Sequence, residues 1–139
     1  MIRIAQTDEQ ILACFSAMQQ LRPHLQEAEF LPFVRLMMDE GYRLACFEQD
    51  GQVLGVAGFK ISHNFYLTKR CYVEDLVTIE SARGQGVGEK LFDWLSEHAK
   101  AQQCRAIHLD SGVQRHGAHK FYLNRDMKIV CHHFVKELA

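Results

Sequence analysis

The chain is 139 residues long, 47% of them apolar, and its 16 basic and 17 acidic residues leave a net charge of −1. That is enough apolar material for one compact domain over 1–139, and the interspersed charges lack the basic stripe of a nucleic-acid binder, so no nucleic-acid partner is expected. The five cysteines, Cys14, Cys46, Cys71, Cys104 and Cys131, form no C-x-x-C and no even framework, and neither a signal-like N-terminus nor an apolar run near the ~18 residues of a membrane span is present; a cytoplasmic protein without a membrane partner is expected.

In chain order, 2–5 alternates as a short strand, and Thr7-Asp8-Glu9-Gln10 reads as a capping box, with Thr at the N-cap and Gln three residues on. Ile11, Leu12, Phe15, Met18 and Arg22 recur at helical spacing, predicting one helix that Pro23 stops. A second helix is expected from near Leu31 to Gly41, because Pro32 is tolerable in a first turn, with Phe33, Val34, Met37 and Met38 facing inward. Residues 43–48 and 53–61 read as a hairpin around Gln49-Asp50-Gly51, since Asp-Gly is a strong turn signal. Polar residues 62–69 suggest a loop, and 71–79 a strand with Val73, Val77 and Ile79 on one side. Leu91, Trp94, Leu95, His98 and Ala99 then form the apolar stripe of an amphipathic helix. Residues 106–109 read as a strand, 116–124 as a short helix and 129–135 as a last strand. The order is β-α-α-β-β-β-α-β-α-β, an α/β domain with a mixed sheet and a right-handed crossover, its glycines placed at turns.

Between the strand at 71–79 and the amphipathic helix lies Arg83-Gly84-Gln85-Gly86-Val87-Gly88. A strand feeding a helix N-terminus through glycine-rich backbone suits an anion, because first-turn amides point outward and missing Cβ atoms let a phosphate approach. A Walker A loop needs Gly-Lys-Ser/Thr, but Lys90 stands between Glu89 and Leu91. A G-x-G-x-x-G fingerprint also fails, since Glu89 and Leu91 occupy the third glycine position. Asp110, near where a ribose-binding acid would sit, is then coincidental.

The run Arg83-Gly84-Gln85-Gly86-Val87-Gly88 resembles the R/Q-x-x-G-x-G/A signature of the GNAT acetyltransferases, whose loop amides bind the pyrophosphate of acetyl-CoA. The strand at 72–79, the helix after the loop, the strand at 105–110 and Ala118-x-x-Phe121-Tyr122 follow the family's order. The resemblance implies a GNAT fold with splayed central strands. It implies acetyl-CoA as cosubstrate, with Arg83, Gly84, Gln85, Gly86, Val87, Gly88 and Glu89 around the pyrophosphate and the backbone of Leu76 and Val77 along the pantetheine arm. It also implies homodimerisation, and a small-molecule or peptide amine as acceptor.

Acetyl transfer from a thioester to an amine needs a proton acceptor, because a free alkylamine has a pKa of about 10. Glu74 and Asp75 are the candidate bases; polyamine acetyltransferases with a similar Leu-Glu-Asp sequence use that glutamate, whereas a strand bulge would exchange the two roles. Tyr122 matches the family tyrosine that protonates the departing thiolate. The chain departs from the family at Arg115, where Asn is usual, and at Asp126-Met127, where Gly-Phe is common. Other acyl-CoA donors, or a non-catalytic acyl-CoA-binding module, remain alternative readings. His116, His119, His132 and His133 lack a completing ligand set, so no metal is expected, and Cys71 and Cys104 lack a nucleophile signature.

Overall fold

A computed structural model describes residues 1–139. The chain forms two compact units, Met1–His108 and Leu109–Ala139. The first carries β1 (Ile2–Ile4), α1 (Asp8–Leu12), α2 (Phe15–Leu21), α3 (Glu27–Asp39), β2 (Tyr42–Gln49), β3 (Gln52–Asn64), β4 (Thr68–Thr78), a 3-10 turn (Glu80–Ala82) and α4 (Val87–Ala101). The strand β5 (Ala106–Leu109) crosses the boundary, and α5 (His116–Leu123) lies in the second unit.

The five strands run in the order β1-β2-β3-β4-β5, with β1 to β4 antiparallel in succession. Arg105 N–H donates to the Lys69 carbonyl at 2.9 Å, so the start of β5 lies beside the start of β4, and the α4 crossover joins them as a parallel pair in a mixed sheet. Both faces of β3 are covered. On one, Phe59 meets Trp94 edge-on at 6.0 Å, and a Cβ at Gly55 would lie 2.8 Å from Val87 and 2.9 Å from Leu91. On the other, Gly58 faces Tyr42 and Asp75. Burial on two faces explains why 55–59 is uninterruptedly buried.

Several boundaries differ from the sequence reading. The capping box is formed, Thr7 Oγ1 accepting from Gln10 N–H and Gln10 Oε1 from Thr7 N–H, but the first helix is broken into α1 and α2 at Ala13-Cys14. Helix α3 begins at Glu27 and holds Pro32 inside it; Phe30 and Val34 are buried, while Phe33, expected inward, is 58% exposed. The hairpin turn is as expected, with positive φ at both Asp50 and Gly51, as a type I′ turn requires. The expected loop at 62–69 is instead mostly paired, Ser62 with Arg70, His63 with Lys69 and Asn64 with Thr68. Polarity there marks solvated strand faces. Glycines are not confined to turns: Gly55 and Gly58 sit inside β3.

The expected last strand at 129–135 does not form. A strand needs a ladder partner, and the sheet ends at β5, leaving Ile129 81% and Phe134 90% exposed. Asp126, where a glycine is common in the family it resembles, has φ 63°. The left-handed turn after α5 is kept by one of the few side chains that tolerate it.

Candidate active site

The strand β4 carries a bulge that separates the surroundings of its two acids. Phe59 pairs with Val73 but Gly58 pairs with Asp75, so Glu74 is the extra residue, without a partner on β3. Side-chain alternation is reset there. Val73 falls on the α4 face with Phe59, whereas Asp75 and Val77 fall on the opposite face with Gly58 and Val56. The expectation that Val73 and Val77 share a side is therefore corrected by one inserted residue.

Asp75 is fully engaged. Its Oδ2 accepts from the Tyr42 hydroxyl at 2.9 Å, and its Oδ1 accepts from Arg22 Nε at 3.1 Å and pairs with Arg22 Nη2 at 3.0 Å. The same Nη2 donates to the Glu74 carbonyl at 3.0 Å, so the guanidinium at the end of α2 holds the bulge and its neighbour together. Gly58 makes this possible: a Cβ there would collide with the Tyr42 hydroxyl and lie 2.8 Å from Asp75 Oδ2. Burial, and then the Asp75 charge, push the Tyr42 phenol well above its ordinary pKa. It therefore stays a donor to the carboxylate. Glu74 is exposed.

Sequence reasoning missed Arg22, Tyr42 and Gly58 as parts of this assembly. Two signals pointed there: an arginine ending an otherwise apolar helical stripe, and a glycine inside a strand, which marks close approach of another group.

Both acids border a cavity of about 910 Å³ walled by α2, α3 and the turn between them, together with Tyr42. At about 3.3 Å per residue, Glu74 lies about 13 Å back along β4 from Thr78, where the chain leaves for the glycine loop. Gly84 and Gly86 both have φ 81°, and Gly86 is the N-cap of α4 without a side-chain cap. The Val87 and Gly88 amides thus start a fifteen-residue helix uncapped by that residue, beside exposed Gly84 and Arg83. Added Cβ atoms at Gly84 and Gly86 would meet no protein atom within 4 Å. The loop is an open cradle whose backbone fits a pyrophosphate. Leu76 and Val77 pair with Ala57 and Val56. Because β5 has four residues and starts beside Lys69, their other backbone edge outruns it, which leaves a strand edge for an extended ligand arm.

Tyr122 lies on α5 in the second unit, half-buried, and burial raises its phenol pKa against a smaller lowering by Arg115. Burial likewise pushes the Cys71 thiol up to about 12, so it is not a thiolate nucleophile near neutrality. No three His, Cys, Asp or Glu side chains stand together as a metal cluster, and no helix is long and apolar enough to cross a membrane.

The model of the acetyltransferase (GNAT) family matches residues 5–127. An aminoalkylphosphonate N-acetyltransferase of Salmonella typhimurium is 30% identical over 101 residues, 70% of this chain and 62% of that protein, so the chain spans less than two thirds of that relative. A Trypanosoma brucei acetyltransferase structure gives a TM-score of 0.79 at 21% identity over 99% of both chains. An aminoglycoside N-acetyltransferase solved in complex with CoA gives 0.85 at 16% identity, over 99% of this chain and 95% of that one. Matched by its family over nearly its whole length, with the glycine loop and the bulged strand in place, the chain belongs to the acetyltransferase (GNAT) family.

Proposed function

We propose that the protein transfers an acetyl group from acetyl-CoA to a primary amine by direct attack within a ternary complex, with Glu74 as the base. The observation that carries this reading is the division of labour at the bulge. Asp75 has both oxygens committed to Tyr42 and Arg22, while Glu74 projects from the same strand with an exposed side chain at the cavity wall. A proton acceptor must be accessible to the substrate nitrogen. Asp75 instead holds the strand in the shape that presents Glu74.

The loop from Arg83 to Glu89 holds the pyrophosphate through its amides, and the edge at Leu76 and Val77 guides the pantetheine arm toward Glu74. The CoA bound to the aminoglycoside acetyltransferase of like fold supports this donor. Glu74 takes the proton from the amine, directly or through one water, as the nitrogen attacks the thioester carbon. The C–S bond then breaks, the thiolate takes a proton from solvent, and amide and free CoA result. The Salmonella relative's name adds an aminoalkylphosphonate to the acceptors worth assaying.

In Glu74→Gln, kcat/KM falls about 10²–10⁴-fold while CoA affinity is unchanged. Thiol release assayed over an amine panel checks this. Undiminished turnover in Glu74→Gln removes Glu74 as the base.

A further inference from the structure

The walls of the cavity beside Glu74 differ sharply in character. Helix α3 is apolar on two sides: Phe30 and Val34 pack into the core, while Phe33 and Leu36 remain 58% and 53% exposed and turn toward the cavity. Leu25, Pro32 and Met37 continue that wall. Large apolar side chains gathered on a concave surface, and left out of the core, mark a ligand face.

The charged groups at the cavity are Arg22, His24, Glu29, Glu74 and Asp75. Arg22 and Asp75 neutralise one another, and the guanidinium also serves the Glu74 carbonyl. What remains toward a ligand is two carboxylates, Glu29 and Glu74, and one imidazole. That balance attracts an ammonium and disfavours a phosphonate or phosphate, since Arg22, the natural anion partner here, already has Nε and Nη2 bonded to Asp75 and the Glu74 carbonyl. A second ammonium placed on Phe33, Leu36 and Met37 would meet no charged partner on that part of the wall, whereas an apolar body buries its surface there.

We infer that the acceptor is an amine with a single cationic head and a compact apolar body, alkyl or aryl, seated with its body on Phe33 and Leu36 and its nitrogen toward Glu74. This rests on the acetyl-transfer reading and names its substrate class. The cavity, about 910 Å³, lies within the size range of small-molecule sites.

The test measures two things separately on the full chain: binding of 2-phenylethylamine, n-hexylamine, 2-aminoethylphosphonate and spermidine by titration calorimetry, and their acetylation by thiol release. Phenylethylamine and hexylamine are expected to bind and turn over at least about tenfold better than the other two. Phe33→Ala and Leu36→Ala, both at exposed positions, should each weaken phenylethylamine binding several-fold and leave CoA affinity unchanged. Preference for the phosphonate or the polyamine, equal use of all four, binding of none, or indifference to both alanine variants overturns the inference. If phenylethylamine binds with the expected Phe33 dependence but is not acetylated, the cavity assignment stands and the catalytic reading falls. If all four amines turn over equally, and Glu74→Gln abolishes that turnover, the base stands and the substrate class falls.

Discussion

The two halves of the proposed site are built from different materials. The proposed donor cradle is backbone: Gly84 and Gly86 at φ 81° and the first turn of α4, anchored to the sheet where Gly55 lets Val87 and Leu91 approach. The proposed acceptor cavity is side chain, assembled from α2, α3, β2 and β4, segments far apart in sequence. A backbone cradle tolerates change in every residue except those whose φ or missing Cβ shapes it. A side-chain cavity changes its ligand with each substitution. One fold can therefore keep its donor while its acceptor varies.

The sharpest way to break this comparison is to damage the backbone half alone. Gly86→Val places a β-branched residue in left-handed backbone, and because no protein atom lies near the added Cβ, the damage falls on the loop's conformation and on whatever lies over it. CoA affinity is expected to drop on the order of 30-fold, with phenylethylamine binding unchanged. Calorimetry with each ligand separates the two. Equal loss of both would mean that the halves are not independent.

A smaller effect tests the joint between the halves. Gly58→Ala drives a methyl group into the Tyr42 hydroxyl and toward Asp75, and overpacking of this kind costs about 1–3 kcal/mol. Tyr42→Phe removes the nearer of the two clashing Tyr42 atoms, the hydroxyl oxygen, along with its bond to Asp75. The double variant should therefore be less destabilised than the sum of the singles, read from denaturant midpoints. Strict additivity would show that Gly58 is not there to admit the tyrosine.

The same contrast explains what could be read from the sequence. The glycine turn into α4 was legible because it depends on glycine spacing within six consecutive residues, and spacing also separates it from Walker and dinucleotide loops. The hairpin at Asp50-Gly51 and the capping box at Thr7 and Gln10 were legible for the same local reason. The different surroundings of Glu74 and Asp75 were not, because they turn on one inserted residue in the β3–β4 register and on Arg22, fifty-two positions before Glu74. Phe33 was misplaced because a helix apolar on two faces gives periodicity no means of saying which face meets the core. The strand expected at 129–135 had the composition of a strand but pairs with no other strand.

The smallest predicted effect lies on the α4 face, away from the cavity. His98 stacks on Trp94 with ring centroids 4.9 Å apart and meets Phe59 edge-on at 5.4 Å; partial burial lowers its pKa. The folded state then binds a proton less readily than the unfolded chain. Stability contributed by the neutral ring is present above the ordinary histidine pKa of about 6.5, and is lost as the pH falls below it toward the folded-state value. His98→Phe keeps the aromatic stack and removes the titration, so its stability curve should be shallower than that of the parent below pH ~6.5 and parallel to it above. Urea midpoints from pH 8 down to pH 5 measure the difference. CoA and amine binding at neutral pH should be unaffected, because His98 takes part in neither half of the site.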